Sequence, residues 1–164
     1  MGHGWGSWGA SWVWSLALVA ITIAMHVAGV VFIANAIESI KANLLRRGLS
    51  YLDGTPGTIA VMVAVALLLG ILHAIECMLW AFVYVLLGAL PSPADASLYS
   101  VDSMTTRGAS GLQLDRQWRL MGATEAGDGM LLFGISTAFL FYVMHRIWIA
   151  RLLKSDSQSA GSRS

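Results

Sequence analysis

Apolar positions fill three long stretches of the chain, and polar ones gather between them. Residues 12–37 contain no Lys, Arg, Asp or Glu, residues 59–90 are interrupted only by His73 and Glu76, and residues 120–150 carry Glu125, Asp128, His145 and Arg146. A bilayer crossing takes about 20 apolar residues, so the pattern predicts three transmembrane helices. The turn cluster Asp53-Gly54-Thr55-Pro56-Gly57 precedes the second stretch, and Pro56 fits a helix start there. Between the second and third stretches, after Pro91-Ser92-Pro93, residues 95–106 suit a short helix with Asp95 or Ser97 as its N-cap. Gly108-Ala109-Ser110-Gly111 follows, a run of small residues able to adopt extended or left-handed backbone.

Composition supports a membrane class. The chain has 164 residues, 57% of them hydrophobic and only 12% charged, with a mean hydropathy of +0.68. That is too apolar for an ordinary soluble domain. A net charge of +1 without a basic run implies no nucleic-acid partner. Cys77 is the single cysteine, which excludes an intrachain disulfide and a cysteine-based metal site within one chain. His3, His26, His73 and His145 show no metal-ligand spacing, so no metal is expected. No nucleophile–base pattern or phosphate-binding glycine loop occurs, and the chain does not read as an enzyme.

Basic residues set the expected orientation. Lys41, Arg46 and Arg47 lie between the first two spans, and Arg146, Arg151 and Lys154 lie at the end of the third and beyond it. Residues 1–11 carry neither Lys nor Arg. The positive-inside rule then puts the N-terminus outside and the C-terminus in the cytoplasm, although Arg107, Arg116 and Arg119 fall on the outer side. Residues 1–11 lack the basic start of a signal peptide and read as a retained, flexible lead-in, with Trp5, Trp8, Trp12 and Trp14 suited to the membrane interface. Residues 155–164 are polar and read as disordered.

Ser100-Val101-Asp102-Ser103-Met104-Thr105-Thr106 resembles the pore-helix ending S-V-[ED]-[ST]-x-T-T of the pore-domain family of tetrameric potassium channels. Gln117-Trp118-Arg119-Leu120 is similar to the start of that family's inner helix, and Phe133-Gly134-Ile135-Ser136-Thr137-Ala138 to its cavity-lining stretch. His73-Ala74-Ile75-Glu76, Trp80-Ala81 and Tyr84 resemble the outer helix of small bacterial members. The likeness covers roughly residues 65–150. The filter departs from it: where the family reads T-T-V-G-Y-G-D, this chain reads T-T-R-G-A-S-G.

The resemblance implies an all-α integral membrane fold of three transmembrane helices, with a re-entrant pore helix and filter loop between the second and third. Four copies would surround one pore. It divides the chain into a lead-in outside the membrane (1–11), an extra transmembrane helix (12–37), a cytoplasmic loop (38–58), a channel-like pore domain (59–150) and a cytoplasmic tail (151–164). The expected setting is the bilayer of a bacterial inner membrane. Partners are three further copies, or an intact channel in a mixed assembly. No cofactor is implied beyond K⁺ or another monovalent ion in the pore.

Carried over residue by residue, the resemblance implies a filter of Thr105, Thr106, Arg107, Gly108, Ala109, Ser110 and Gly111. Thr106 matches the innermost ion site and Gly108 the first filter glycine. Arg107 stands for a valine, Ala109 for the bracing tyrosine, Ser110 for the second glycine and Gly111 for the aspartate beyond it. A serine in left-handed geometry costs about 1 kcal/mol, which disfavours the outer ion sites. Arg107 either points behind the filter toward Asp102, Glu125 or Asp128, or faces the pore, where four guanidiniums would repel cations. His73 and Glu76 share a helical face and act as a helix brace or a proton site. Gly129 and Gly134 are hinge points or close-packing sites, and Met130, Phe133 and Thr137 form a candidate cavity face. The expected function is passive conduction of monovalent cations. The alternatives are a non-conducting or regulatory channel-like subunit and a proton-coupled transporter.

Overall fold

The computed structural model describes residues 4–47, 54–108 and 110–161, with side chains over 9–47, 54–108 and 110–149. These residues form four helices and no strands: α1 (Gly4–Arg46), α2 (Thr55–Leu86), α3 (Pro93–Met104) and α4 (Arg119–Gly161). Three of them, α1, α2 and α4, are long and apolar enough to cross a membrane.

Their ends differ from the sequence expectations in ways the local chemistry explains. Helix α1 begins at Gly4, inside the stretch read as a flexible lead-in, and α4 runs on to Gly161, through most of the stretch read as disordered. No proline interrupts either one. Helix α2 stops at a Schellman motif. Gly88 takes φ +65, the Ala89 N–H reaches the Tyr84 carbonyl at 2.9 Å, and the Gly88 N–H reaches Val85 at 3.0 Å. Helix α3 starts two residues before the expected 95, because Ser92 takes the cap. Its hydroxyl accepts from the Asp95 N–H at 3.3 Å, and Pro93 occupies a first-turn position that needs no donor.

The chain divides by contact into two compact units: Met1–Gly29 with Gly70–Gly134, and Val30–Leu69 with Ile135–Ser164. The second is held by apolar packing of Ile33, Val65, Leu69, Phe139 and Val143. An exposed Arg146–Glu38 pair at 3.5 Å adds little to it.

The first unit contains α3 and most of the chemistry. Its apolar core includes Leu18, Trp80, Tyr84, Met104, Met121 and Leu132. On α1 the buried positions Ser11, Ser15, Leu18, Thr22 and His26 recur every three or four residues, so one face of the helix is buried and four of its five residues are polar. Helix α3 lies between α2 and α4. The Ser100 hydroxyl meets the Cys77 carbonyl at 2.8 Å, and the rings of Tyr84 and Tyr99 meet edge-on at 5.5 Å. On the other side α4 approaches through glycine: a Cβ on Gly129 would collide with the Met104 carbonyl, and one on Gly122 with the Tyr99 hydroxyl.

Candidate functional site

The short helix and the segment after it form one tethered unit. Helix α3 ends in a second Schellman motif, with the Thr106 N–H on the Ser103 carbonyl at 2.8 Å and the Arg107 N–H on the Asp102 carbonyl at 2.9 Å. The residue at its left-handed position is Thr106, at φ 56. Glycine is usual there, and a β-branched residue is strained. Gly108 (φ 61) and Gly111 (φ 70) are also left-handed. The sequence reading sets a cost on a left-handed Ser110, and Ser110 is not among the left-handed residues described. The conformation falls on Gly111, which has no Cβ to resist it, and on Thr106. Ala109 lies outside the described residues.

Asp102 holds this segment against the helix. Its Oδ1 receives the Arg107 Nε–H at 2.5 Å and its Oδ2 the Ser110 backbone N–H at 2.7 Å. The carboxylate side chain is 3% exposed, whereas that of Arg107 is 59% exposed. The Arg107 hydrogen bond, then the Ser110 N–H, pull the Asp102 carboxyl down to about 2. A depressed carboxyl supports the fold in its ionised form, so the tether is intact at neutral pH and is lost only as pH falls from roughly 4 toward 2. Arg107 also sits just beyond the C-terminus of α3, where the helix dipole favours a cation.

Of the three acids considered for Arg107, Asp102 takes it; the other two serve different helices. Glu125 accepts from the Tyr84 hydroxyl at 2.7 Å and closely meets the Ser100 hydroxyl, joining α4 to α2 and α3. Asp128 accepts from Thr22 Oγ1 at 2.6 Å and Trp80 Nε1 at 3.3 Å, joining α4 to α1 and α2. Both carboxylates are buried.

His73 and Glu76 meet at 3.2 Å, as their spacing on one helix face predicts. The sequence reading missed the third member, His26 of α1, whose Nδ1 lies 2.9 Å from Glu76 Oε1. All three are buried. The two imidazoles stand 5.0 Å apart, and Phe133 stacks on His73 at 4.2 Å. One signal pointed to His26: Thr22 and His26 are polar, one turn apart, inside an otherwise apolar span.

The remaining candidates are plainly placed. Thr105, Thr106, Gly108 and Gly111 are exposed and Ser110 is half-buried, while Met130, Phe133, Gly134 and Thr137 are exposed on α4. Gly129 is a close-approach site against Met104, whereas nothing lies within 4 Å of a Cβ on Gly134.

Fold and site together define a class: an all-helical protein with three helices long and apolar enough for a membrane, and a short capped helix between the last two in sequence. No protein-family model matches the chain, and no curated protein or solved structure matches it either.

Proposed function

We propose that the chain is one subunit of a potassium-channel-like homotetramer that conducts monovalent cations passively across a membrane. In this reading α2 is the outer helix, α3 a re-entrant pore helix and α4 the inner helix, with residues 105–111 as the filter. The observation that carries it is the tethered end of α3. A short helix ends in a left-handed cap at Thr106, and its own Asp102 holds the glycine-bearing segment that follows. Such a segment is suited to presenting backbone carbonyls to an ion, and the C-terminal pole of a helix favours a cation nearby. Arg107 spends its charge on Asp102, which relieves the repulsion that four free guanidiniums would create.

Selectivity is expected to be weak. Gly108 has the left-handed backbone expected of the first filter glycine, but among the described residues the next left-handed one is Gly111, one position later than the family spacing. The same displacement favours a second reading, a non-conducting or regulatory subunit of the same architecture.

Purified protein reconstituted in liposomes separates the two through K⁺, Na⁺ and Cl⁻ flux down imposed gradients. The expected result is cation flux with poor discrimination between K⁺ and Na⁺. Flux of Cl⁻ alone overturns cation conduction. Absence of all flux from a tetrameric preparation moves the assignment to the second reading, and Arg107→Val with Ala109→Tyr and Ser110→Gly should then create K⁺ flux.

A further inference from the structure

We propose that His26, His73 and Glu76 bind a divalent transition-metal ion, zinc by preference, with Asp128 as the second carboxylate that balances its charge. The inference does not depend on whether ions cross the protein. The three donor atoms lie within 4.8 Å of one another and all three residues are buried. Two imidazole nitrogens and one carboxylate oxygen are the donor set of a zinc site that keeps an open position. With zinc–ligand distances near 2.0–2.1 Å, donors around a tetrahedral ion stand roughly 3.3 Å apart. His26 Nδ1 stands 2.9 Å from Glu76 Oε1 and His73 Nδ1 3.2 Å from Glu76 Oε2, close to that spacing, so both imidazoles already face the carboxylate that would share the ion. Binding through Nδ1 requires each imidazole to carry its proton on Nε2.

Charge balance points the same way. Asp128 lies one helical turn from the cluster on two sides: its partner Thr22 is four residues before His26, and its partner Trp80 is four residues after Glu76. Asp128 interacts electrostatically with both Glu76 and His26, and its Oδ1 is buried without a hydrogen-bond partner. Glu76 and Asp128 therefore share one neighbourhood, with a third buried carboxylate, Glu125, one turn before Asp128 on α4, and residues 9–29, 70–86 and 120–134 contain no Lys or Arg to neutralise the pair. Uncompensated buried anions are costly, and one divalent cation balances both. Spacing along the sequence conceals the site, because His26 and Glu76 are 50 residues apart on different helices.

The test uses the full chain with His3→Ala, purified in detergent, stripped with chelator and titrated with Co²⁺, then with Zn²⁺ in competition. The expected result is visible d–d absorption of four- or five-coordinate Co²⁺, stoichiometric with chain and erased by Zn²⁺. Binding should be lost in His26→Ala and Glu76→Gln and kept in His145→Ala. In Asp128→Asn it should weaken by about 10–100-fold, as removal of an outer partner does. Circular dichroism checks that each variant retains its helices. Absence of Co²⁺ and Zn²⁺ binding by the unvaried cluster overturns the proposal without reference to any variant. Binding that survives in folded His26→Ala or Glu76→Gln overturns it equally, leaving a hydrogen-bonded cluster only.

Discussion

Thr106 holds the left-handed position of the α3 cap, where glycine would be unstrained. A non-glycine residue there costs on the order of 1 kcal/mol, so the fold alone would favour glycine. The threonine hydroxyl supplies what glycine lacks, a polar group at the head of the segment read as the filter. Thr106→Gly should accordingly raise the thermal midpoint by several degrees, while cation flux through liposomes falls. A variant that gains stability and conducts normally would remove Thr106 from the ion path; a loss of stability would mean that the cap is not strained. Local sequence could not assign this conformation. The glycine run drew attention to Ser110, but the deciding factor was which residue closes the helix end, and that depends on bonds to Ser103 and Asp102 carbonyls.

The helices of the first unit meet by two devices, missing side chains and buried carboxylates. Gly129 lets α4 approach the α3 backbone at Met104, and a main-chain carbonyl in a helix's last turn has little room to yield. Gly122 faces only the Tyr99 hydroxyl, the far end of a side chain that can swing aside. Gly129→Ala should therefore destabilise by about 1–3 kcal/mol, the usual cost of overpacking, and Gly122→Ala by clearly less. Thermal or denaturant unfolding of the two variants side by side checks this, and equal effects would contradict the assigned contacts. Much of this level was legible beforehand. Hydropathy located three long helices, Pro91-Ser92-Pro93 announced a fourth, and the His73–Glu76 spacing gave their contact. What was not legible were pairings between helices. Nothing local says that Glu125 meets Tyr84 and Ser100 while Asp128 meets Thr22 and Trp80.

At the scale of the molecule, the proposed topology would put the two ends of the chain on opposite sides of a membrane, with the basic residues near α1's end on the cytoplasmic side. Cys77 is the single cysteine and is buried, so an introduced thiol reports on its own position. A membrane-impermeant maleimide should label Gln117→Cys in intact cells, and Ala42→Cys only after the membrane is opened; the opposite pattern would invert the orientation. In the proposed channel reading helix α1 is an addition to a two-helix pore unit, yet its Thr22 and His26 are partners of acids on α4 and α2. This has a consequence for biosynthesis. A chain threaded into a membrane from its N-terminus commits α1 to lipid before Glu76 and Asp128 have been made. Thr22 can wait, because its hydroxyl also reaches the Leu18 and Val19 carbonyls of its own helix at 2.9 and 3.0 Å. Glu76 arrives with His73 one turn before it on the same helix. Asp128 has no such companion on α4 among its hydrogen bonds. The last span to be made is thus the one that depends on those already inserted, so a chain made without α1 should stall at its final helix.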